Sequence, residues 1–167
     1  MAVKKPSYNG HLTKNFGYQE MIKSSTADRL GISNDATREH VINLVNLCNF
    51  ILQPIRDEFG VIRINSGYRS PALNKAVGGS KTSQHCNGQA ADFESTRISN
   101  PNLAKWISEN LIFDQLILEF YDGVDPNSGW VHCSYVLDGS NRGKTMTALR
   151  VNGKPQYKVG LLLKEKM

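Results

Sequence analysis

One amphipathic helix constrains the fold more than any other feature of the chain. Between residues 36 and 59 the apolar residues recur at steps of three and four positions: Val41, Leu44, Val45, Cys48, Ile51, Leu52, Ile55 and Phe59. This spacing draws an apolar stripe along one side of a helix, and other parts of the chain have to cover it. We therefore predict a core helix over residues 36–59, kinked near its end by Pro54.

Shorter segments of the chain carry the signals of strands. Residues 61–66 alternate apolar and polar side chains, and strands are also predicted over 90–93, 115–120 and 130–136. Asn152-Gly153, between segments 146–151 and 156–163, is a strong hairpin signal. Further helices are predicted in pieces over 15–30, from Pro71 to Gly78, and from Pro101 to Leu111. The predicted class is α+β: one domain with helices packed on a small, mostly antiparallel sheet.

Composition adds limits to this prediction. A chain of 167 residues fits one compact domain with its own core. Three cysteines without a CxxC pair argue against a disulfide framework and fit a reducing compartment. Polar residues 7–10 stand where the apolar part of a signal peptide would lie, and no apolar run approaches membrane-spanning length. We expect a monomer made in a cytosol, without a membrane partner.

Two histidines and one aspartate have the character of metal ligands. His85 and Asp92 lie seven residues apart, and His132 follows in the strand-like segment Trp130-Val131-His132. Two imidazoles and one carboxylate leave the fourth position of a zinc ion open for water, as hydrolytic sites require. The neighbours of Asp92 are apolar, so an unpaired carboxylate there would be costly and a metal would offset that cost. We predict one Zn²⁺ held by His85, Asp92 and His132.

The motifs around these residues resemble one enzyme family. Ser-Gly-Tyr-Arg, Val-Gly-Gly-Ser, Ser-x-His, Gly-x-Ala-x-Asp and Trp-x-His occur in order between Ser66 and His132. Together they resemble the signature of the zinc D-Ala-D-Ala carboxypeptidases and L-Ala-D-Glu endopeptidases, many of them phage endolysins. The resemblance runs from Phe16 to Tyr135. It implies a hedgehog/D-Ala-D-Ala-peptidase-like fold and a single zinc peptidase domain over 1–167, with an N-terminal extension over residues 1–14.

The general base is the point at which the chain departs from this family. Some members carry a glutamate three residues before the last histidine, and others carry His-x-His; these positions are Gly129 and Trp130 here. Glu119 is the best remaining carboxylate, because pairing of strands 115–120 and 130–136 would bring it nearly opposite His132. An apolar strand should raise its pKa, which suits proton transfer. The alternatives are an edge residue, a partner of a ligand histidine, or catalysis by Asp122 or Asp125.

The resemblance gives roles to Arg69 and Ser83. Arg69 matches the substrate-binding arginine of the family, and a guanidinium could grip a peptide carboxylate or stabilise an oxyanion. Ser83 would hydrogen-bond the peptide. Taken without the motif, Arg69 would be a surface ion pair and Ser83 a turn cap. Cys86 and Cys133 each follow a predicted ligand, and alternation along an extended backbone favours a structural role for both.

These observations predict a peptidase acting on the stem peptide of bacterial peptidoglycan. A net charge of +5 would concentrate the protein on a polyanionic wall, although a merely solvated basic surface explains it equally well. The basic residues are scattered, so we expect no nucleic-acid partner. The predicted setting is a phage lysis enzyme, held in the host cytoplasm until release to the wall or carried in the virion. The alternative is an inactive, zinc-stabilised binding or structural module.

Overall fold

The sheet organises the molecule. In the computed structural model, which describes residues 10–163, six strands lie in the order β1-β2-β4-β3-β5-β6. The strands are β1 Ile62–Ser66, β2 Ala90–Ser95, β3 Gln115–Glu119, β4 Trp130–Ser134, β5 Lys144–Val151 and β6 Lys154–Val159. All neighbours are antiparallel except β3 and β5, which are parallel. The predicted α+β class with a mostly antiparallel sheet is confirmed.

The predicted core helix is present but divided. It comprises α3 (Arg38–Leu47), a π-helical segment (Cys48–Leu52) and α4 (Gln53–Phe59). The N–H of Gln53 bonds the carbonyl of Cys48, five residues back. Pro54 follows at once and has no N–H to continue the usual pattern, which explains why the irregularity lies here. The helix begins two residues later than predicted, because the Thr37 side chain accepts the N–H of His40 as an N-cap.

The other helices are shorter. They are α1 Tyr18–Ile22, α2 Ser25–Leu30, α5 Pro71–Ala76 and α6 Asn100–Asn110, with a 3₁₀ helix at Gln84–Asn87. Serines 24, 70 and 99 cap α2, α5 and α6 by accepting backbone N–H groups from the first turn. Each cap satisfies a donor that the helix itself cannot pair. The helices predicted from Pro71 and Pro101 agree to within two residues, while the first helix begins at Tyr18, three residues after the start of the predicted segment 15–30.

Alternation in the central strands gives the sheet two different faces. Ala91 and Phe93 of β2, with Leu116 and Leu118 of β3, point into the hydrophobic core with the stripe of the α3–α4 helix. The residues between them, such as Asp92, point away from it. The core therefore fixes the register of each strand, and the opposite face is left for polar side chains.

The β5–β6 hairpin confirms one prediction and corrects another. Asn152 and Gly153 have φ angles of 50° and 75°, as a two-residue turn with positive φ requires. The second strand was predicted over 156–163, but β6 ends at Val159. Gly160 turns the chain with φ of 87°, and Leu162 donates its N–H to the Thr147 hydroxyl rather than to a strand.

The predicted N-terminal extension, residues 1–14, lies mostly outside the described residues. Its described part belongs to the domain, because Leu12 is buried in the core and donates its N–H to Phe16. The last four residues are also outside the described range. Among the helices of residues 10–163, none is long and apolar enough to cross a membrane.

Candidate metal centre

Two of the predicted ligands face each other across neighbouring strands. Asp92 of β2 and His132 of β4 are directly opposed in the antiparallel register. Their neighbours Ala91 and Cys133, the next opposed pair, are buried in the core on the other face. The apolar residues on both sides of each ligand thus force the two polar side chains to the same face of the sheet.

The third ligand comes from outside the sheet. His85 lies on the 3₁₀ helix, and its Nδ1 is 2.6 Å from the carbonyl oxygen of Gly67. A carbonyl only accepts hydrogen bonds, so Nδ1 carries the proton and Nε2 keeps its lone pair. Gly67 is packed so closely that a Cβ there would lie 2.3 Å from the carbonyl oxygen of Met21. The glycine of Ser-Gly-Tyr-Arg therefore allows the backbone approach that orients His85.

The three ligand atoms lie at the spacing of a tetrahedral metal site. Asp92 Oδ1 is 2.9 Å from His132 Nδ1 and 3.3 Å from His85 Nε2. The two histidine nitrogens are 3.3 Å apart. Atoms bonded to one tetrahedral zinc ion at about 2.0–2.1 Å would lie about 3.3 Å from each other. Two of the three distances match this value and the third is 0.4 Å shorter, so these residues could hold a metal ion.

The electrostatics of the cluster also fit a cation. His85, Asp92 and His132 are 3%, 6% and 7% exposed, so solvent does little to satisfy them. Burial by itself would raise the pKa of Asp92, but the adjacent His85 and His132 outweigh it and hold that pKa well below its usual range. The carboxylate therefore stays ionised, and two lone-pair acceptors, Asp92 Oδ1 and His85 Nε2, point toward the same small space.

Arg69 is bound to the metal-site aspartate. Its Nη2 donates to Asp92 Oδ2 at 2.9 Å and its Nε donates to the hydroxyl of Ser66 at 2.9 Å. The first bond holds Asp92 Oδ2 and the second anchors Arg69, so Oδ1 is left for the cluster. Arg69 also lines the cleft described below, so a role toward substrate stays a prediction that this geometry permits.

We expect Arg69→Lys to weaken metal binding. A lysine ammonium cannot make the two-point contact to Asp92 and Ser66, so the ligand would lose its fixed orientation. Loss of such a partner costs about 10–100-fold in metal affinity. Competition titration of Zn²⁺ against a chromophoric chelator measures the change. Arg63→Lys, at an exposed position of β1, is the control, and equal affinities for the two variants would contradict the positioning role.

Glu119 shares the face of the metal ligands but not in the predicted register. It is opposite Trp130, whereas His132 is opposite Ile117. Glu119 and His132 are therefore diagonal neighbours on one face rather than an opposed pair. Burial first, and then the charge of Asp92, raise the pKa of Glu119 to about 7, while His132, Arg69 and Trp130 oppose the shift. A carboxyl group with this pKa can exchange a proton near neutral pH.

Gly129 shows why the family's alternative acid is absent. Its φ is +67°, and a Cβ built on it would lie 1.9 Å from the carbonyl oxygen of Glu119. No side chain fits there unless the backbone moves. The position at which some family members carry glutamate is therefore closed in this chain, while the neighbouring strand supplies a carboxylate to the same face.

We expect Gly129→Ala to destabilise the protein by more than about 2 kcal/mol, because it adds a clash to a left-handed backbone that alone costs about 1–3 kcal/mol. Gly139→Ala is the matched control, since Gly139 has φ of +80° with open space around it. Urea unfolding of both variants measures the difference. Equal destabilisation would show that the contact with Glu119 has no energetic weight.

The weaker candidates for the base hold the turn between β3 and β4. Asp122 Oδ1 accepts the N–H groups of Val124 and Asp125 at 2.8 Å each, and these bonds lower the pKa of Asp122. Asp125 Oδ1 accepts the N–H of Asn127. Neither carboxylate lines the cleft. The turn that Asp122 and Asp125 hold therefore explains both carboxylates, and Glu119 is not part of that turn.

Ser83 has the role of a cap in this structure. Its hydroxyl oxygen accepts the N–H of His85 and begins the 3₁₀ helix. The same side chain lines the cleft, so hydrogen bonding to a ligand stays a prediction. Cys133 is fully buried on the core face, and Cys86 is half-buried outside the ligand cluster.

A cleft of about 790 Å³ opens over the cluster. Its floor and walls include the three ligands, Arg69, Ser83 and Glu119, and also residues from the loop and hairpin after β4. One group beside the cleft was not predicted from the sequence. Asp114 accepts the backbone N–H, Nε and Nη2 of Arg142, and the amide of Gln84. This contact joins the 3₁₀ helix of His85 to the start of β5. Long-range pairs of this kind leave no local pattern in the sequence.

Comparison with known proteins agrees with this geometry. No curated protein matches the chain. The family model described as Peptidase M15 matches residues 14–134, which is most of the chain and includes His85, Asp92 and His132. The resemblance found in the motifs is thus confirmed over the same region. The metal-ligand geometry and this match lead to one conclusion: the chain belongs to the peptidase M15 family.

Proposed function

We propose that the protein is a zinc metallopeptidase that hydrolyses the stem peptide of bacterial peptidoglycan. One observation carries the proposal: three buried ligand atoms lie at tetrahedral spacing, and the carboxylate of Glu119 lies on the same face of an open cleft. Membership of the peptidase M15 family supports a metal-dependent peptidase. A binding module would need the ligands but would have no use for a half-buried acid beside them.

Zinc is the ion that we propose for the site. A set of two imidazoles and one carboxylate suits zinc and leaves it an open position. When bound, the ion supplies a Lewis acid that polarises the scissile carbonyl and makes water acidic near neutral pH. His85, Asp92 and His132 would hold it, and the Gly67 carbonyl and Arg69 keep His85 and Asp92 in place.

Glu119 performs the proton transfers in this proposal. As a carboxylate it accepts a proton from the attacking water, and as a carboxylic acid it returns that proton to the leaving amine. Burial keeps its pKa close to neutrality, so both forms are accessible at the pH of the reaction. Its position, diagonal to His132 on the same face, supports this role.

Arg69 and Ser83 orient the peptide. Arg69 already uses Nε and Nη2 in the structure, so its remaining amino group is the one available to a peptide carbonyl or carboxylate. The Ser83 oxygen accepts a backbone N–H, and its hydroxyl proton can still be donated to the peptide. Both side chains line the cleft.

Peptidoglycan is the substrate that the motifs and the charge favour. The net charge of +5 would concentrate the protein on a polyanionic wall. We place it as a lysis enzyme of the phage type, because that group carries the same motifs. The bond cut is either L-Ala–D-Glu or the terminal D-Ala–D-Ala bond.

Digestion of purified peptidoglycan tests the proposal. Muropeptides are analysed by mass spectrometry after incubation with zinc-loaded protein and with the same protein after chelation. Zinc-dependent products cut after L-Ala identify an endopeptidase, and loss of one terminal D-Ala identifies a carboxypeptidase. Intact peptidoglycan, with one zinc ion still bound per chain, would instead support the inactive binding module.

A further inference from the structure

The row of residues that contains the metal ligands continues across the sheet. Asp92 is opposite His132, His132 is opposite Ile117, and Ile117 pairs with Met146 of the parallel strand β5. These four side chains share one face. Ile117 and Met146 line the cleft, so an apolar floor extends from the metal centre onto β5.

Polar side chains border this floor on both sides. Two residues before Ile117 on β3, Gln115 pairs with Lys144. Two residues after Ile117, Glu119 pairs with Ala148, which is opposite Tyr157 of β6. Lys144 and Tyr157 both line the cleft and are partly or fully exposed to it. Ala148 itself is fully buried, and Glu119 and Tyr157 on either side of it both line the cleft.

Lys144 differs from the other cations of the cleft. Arg69 is paired with Asp92, and Arg142 is paired with Asp114. Lys144 has no ion pair with any acidic residue in the part of the chain that the structure describes. Its backbone is nevertheless fixed, because its N–H bonds the carbonyl of Asp114. An unpaired cation on a held backbone, beside an apolar floor, is suited to bind an anionic group of a ligand.

We propose that the β5–β6 hairpin gives the cleft a second binding site, in which Lys144 binds a carboxylate of the peptide while Met146 and Tyr157 pack against its chain. Lys144 lies two strand spacings from His132 across the sheet and two residues along it, about 12 Å in all, and an extended peptide rises about 3.3 Å per residue. The carboxylate therefore lies about three to four residues from the scissile bond. The hairpin follows residue 134, where the family match ends, so this site lies outside the matched region. The inference rests on the proposed function.

Pairs of matched stem peptides test this site. Zinc-loaded Glu119→Gln protein, expected to bind without cleaving, is titrated calorimetrically with stem peptides that differ only in having a carboxylate or a carboxamide at one position. We expect Lys144→Gln to weaken binding of one carboxylate peptide by about fivefold, as for an exposed charge pair, and to leave its carboxamide partner unchanged. Tyr157→Ala should weaken both peptides alike. Lys158→Gln is the control, because Lys158 is opposite Thr147 on the other face.

The outcomes separate this inference from the proposed function. Tight peptide binding in which Lys144→Gln affects carboxylate and carboxamide peptides equally would overturn the carboxylate site and leave the peptidase proposal standing. No binding of any stem peptide, together with intact peptidoglycan after incubation with the unmodified protein, would overturn both. Thermal unfolding and zinc stoichiometry of each variant establish that an effect on binding does not come from the fold.

Discussion

Replacing His132 with alanine is expected to abolish zinc binding and peptidase activity together. Only His85 and Asp92 would remain at the centre, and Asp92 would keep its bond to Arg69. Losing a partner of a ligand already costs about 10–100-fold in metal affinity, so losing a ligand itself should cost more than about 100-fold. Zinc per chain, measured after dialysis by atomic emission, and release of cleaved muropeptides are the two readouts.

His40→Ala is the matched control for this experiment. His40 lies on α3 beside Tyr68, and its Nδ1 is buried without a hydrogen-bond partner among the described residues. The variant removes a histidine while leaving the ligand cluster complete, so zinc binding should persist. Full zinc occupancy in His132→Ala would contradict the assignment of the ligands. A protein that keeps its activity without zinc would contradict the proposed chemistry itself.

The ligand set could be predicted from sequence because each member has a local signal. Asp92 lies between apolar residues of a buried strand, and His132 ends a Trp-x-His motif on another strand. Alternation then requires both side chains to leave the core face. The hairpin turn was equally local, since Asn152-Gly153 provides both positive φ angles itself. Predictions of this kind depend on neighbours in the sequence.

The pairings between strands could not be derived in the same way. The parallel contact of β3 with β5 joins residues 115–119 to 144–148, and no pattern within either segment specifies it. This contact is what brings Lys144 and Met146 to the cleft. The exact register of Glu119 against Trp130 depends in turn on the close approach of Gly129 to the Glu119 backbone. The absence of an acid at position 129 was visible in the sequence, but its steric cause was not.

Glu119→Gln is expected to remove catalysis while leaving the metal centre filled. Glutamine has nearly the same shape but cannot accept and return a proton, so kcat should fall by about 10²–10⁴-fold. KM should change little, since the proposed peptide contacts come from other residues. Zinc stoichiometry should stay at the level of the unmodified protein, because Glu119 is not among the ligand atoms. Steady-state kinetics on soluble muropeptides, with parallel metal analysis, measure both quantities.

Glu94→Gln makes this test specific. Glu94 is two residues after Asp92 on β2 and so lies on the same face, but it bonds the Asn65 amide and does not line the cleft. If proximity to the metal on that face were enough, the two glutamates would behave alike. We expect only Glu119→Gln to lose activity, because only Glu119 combines a place in the cleft with a pKa raised to about 7. Unchanged kcat in Glu119→Gln would mean that water is activated without this carboxylate, and the base would then have to come from the substrate or solvent. Loss of kcat with zinc retained would exclude the inactive module, since a protein without turnover has no rate for the substitution to lower.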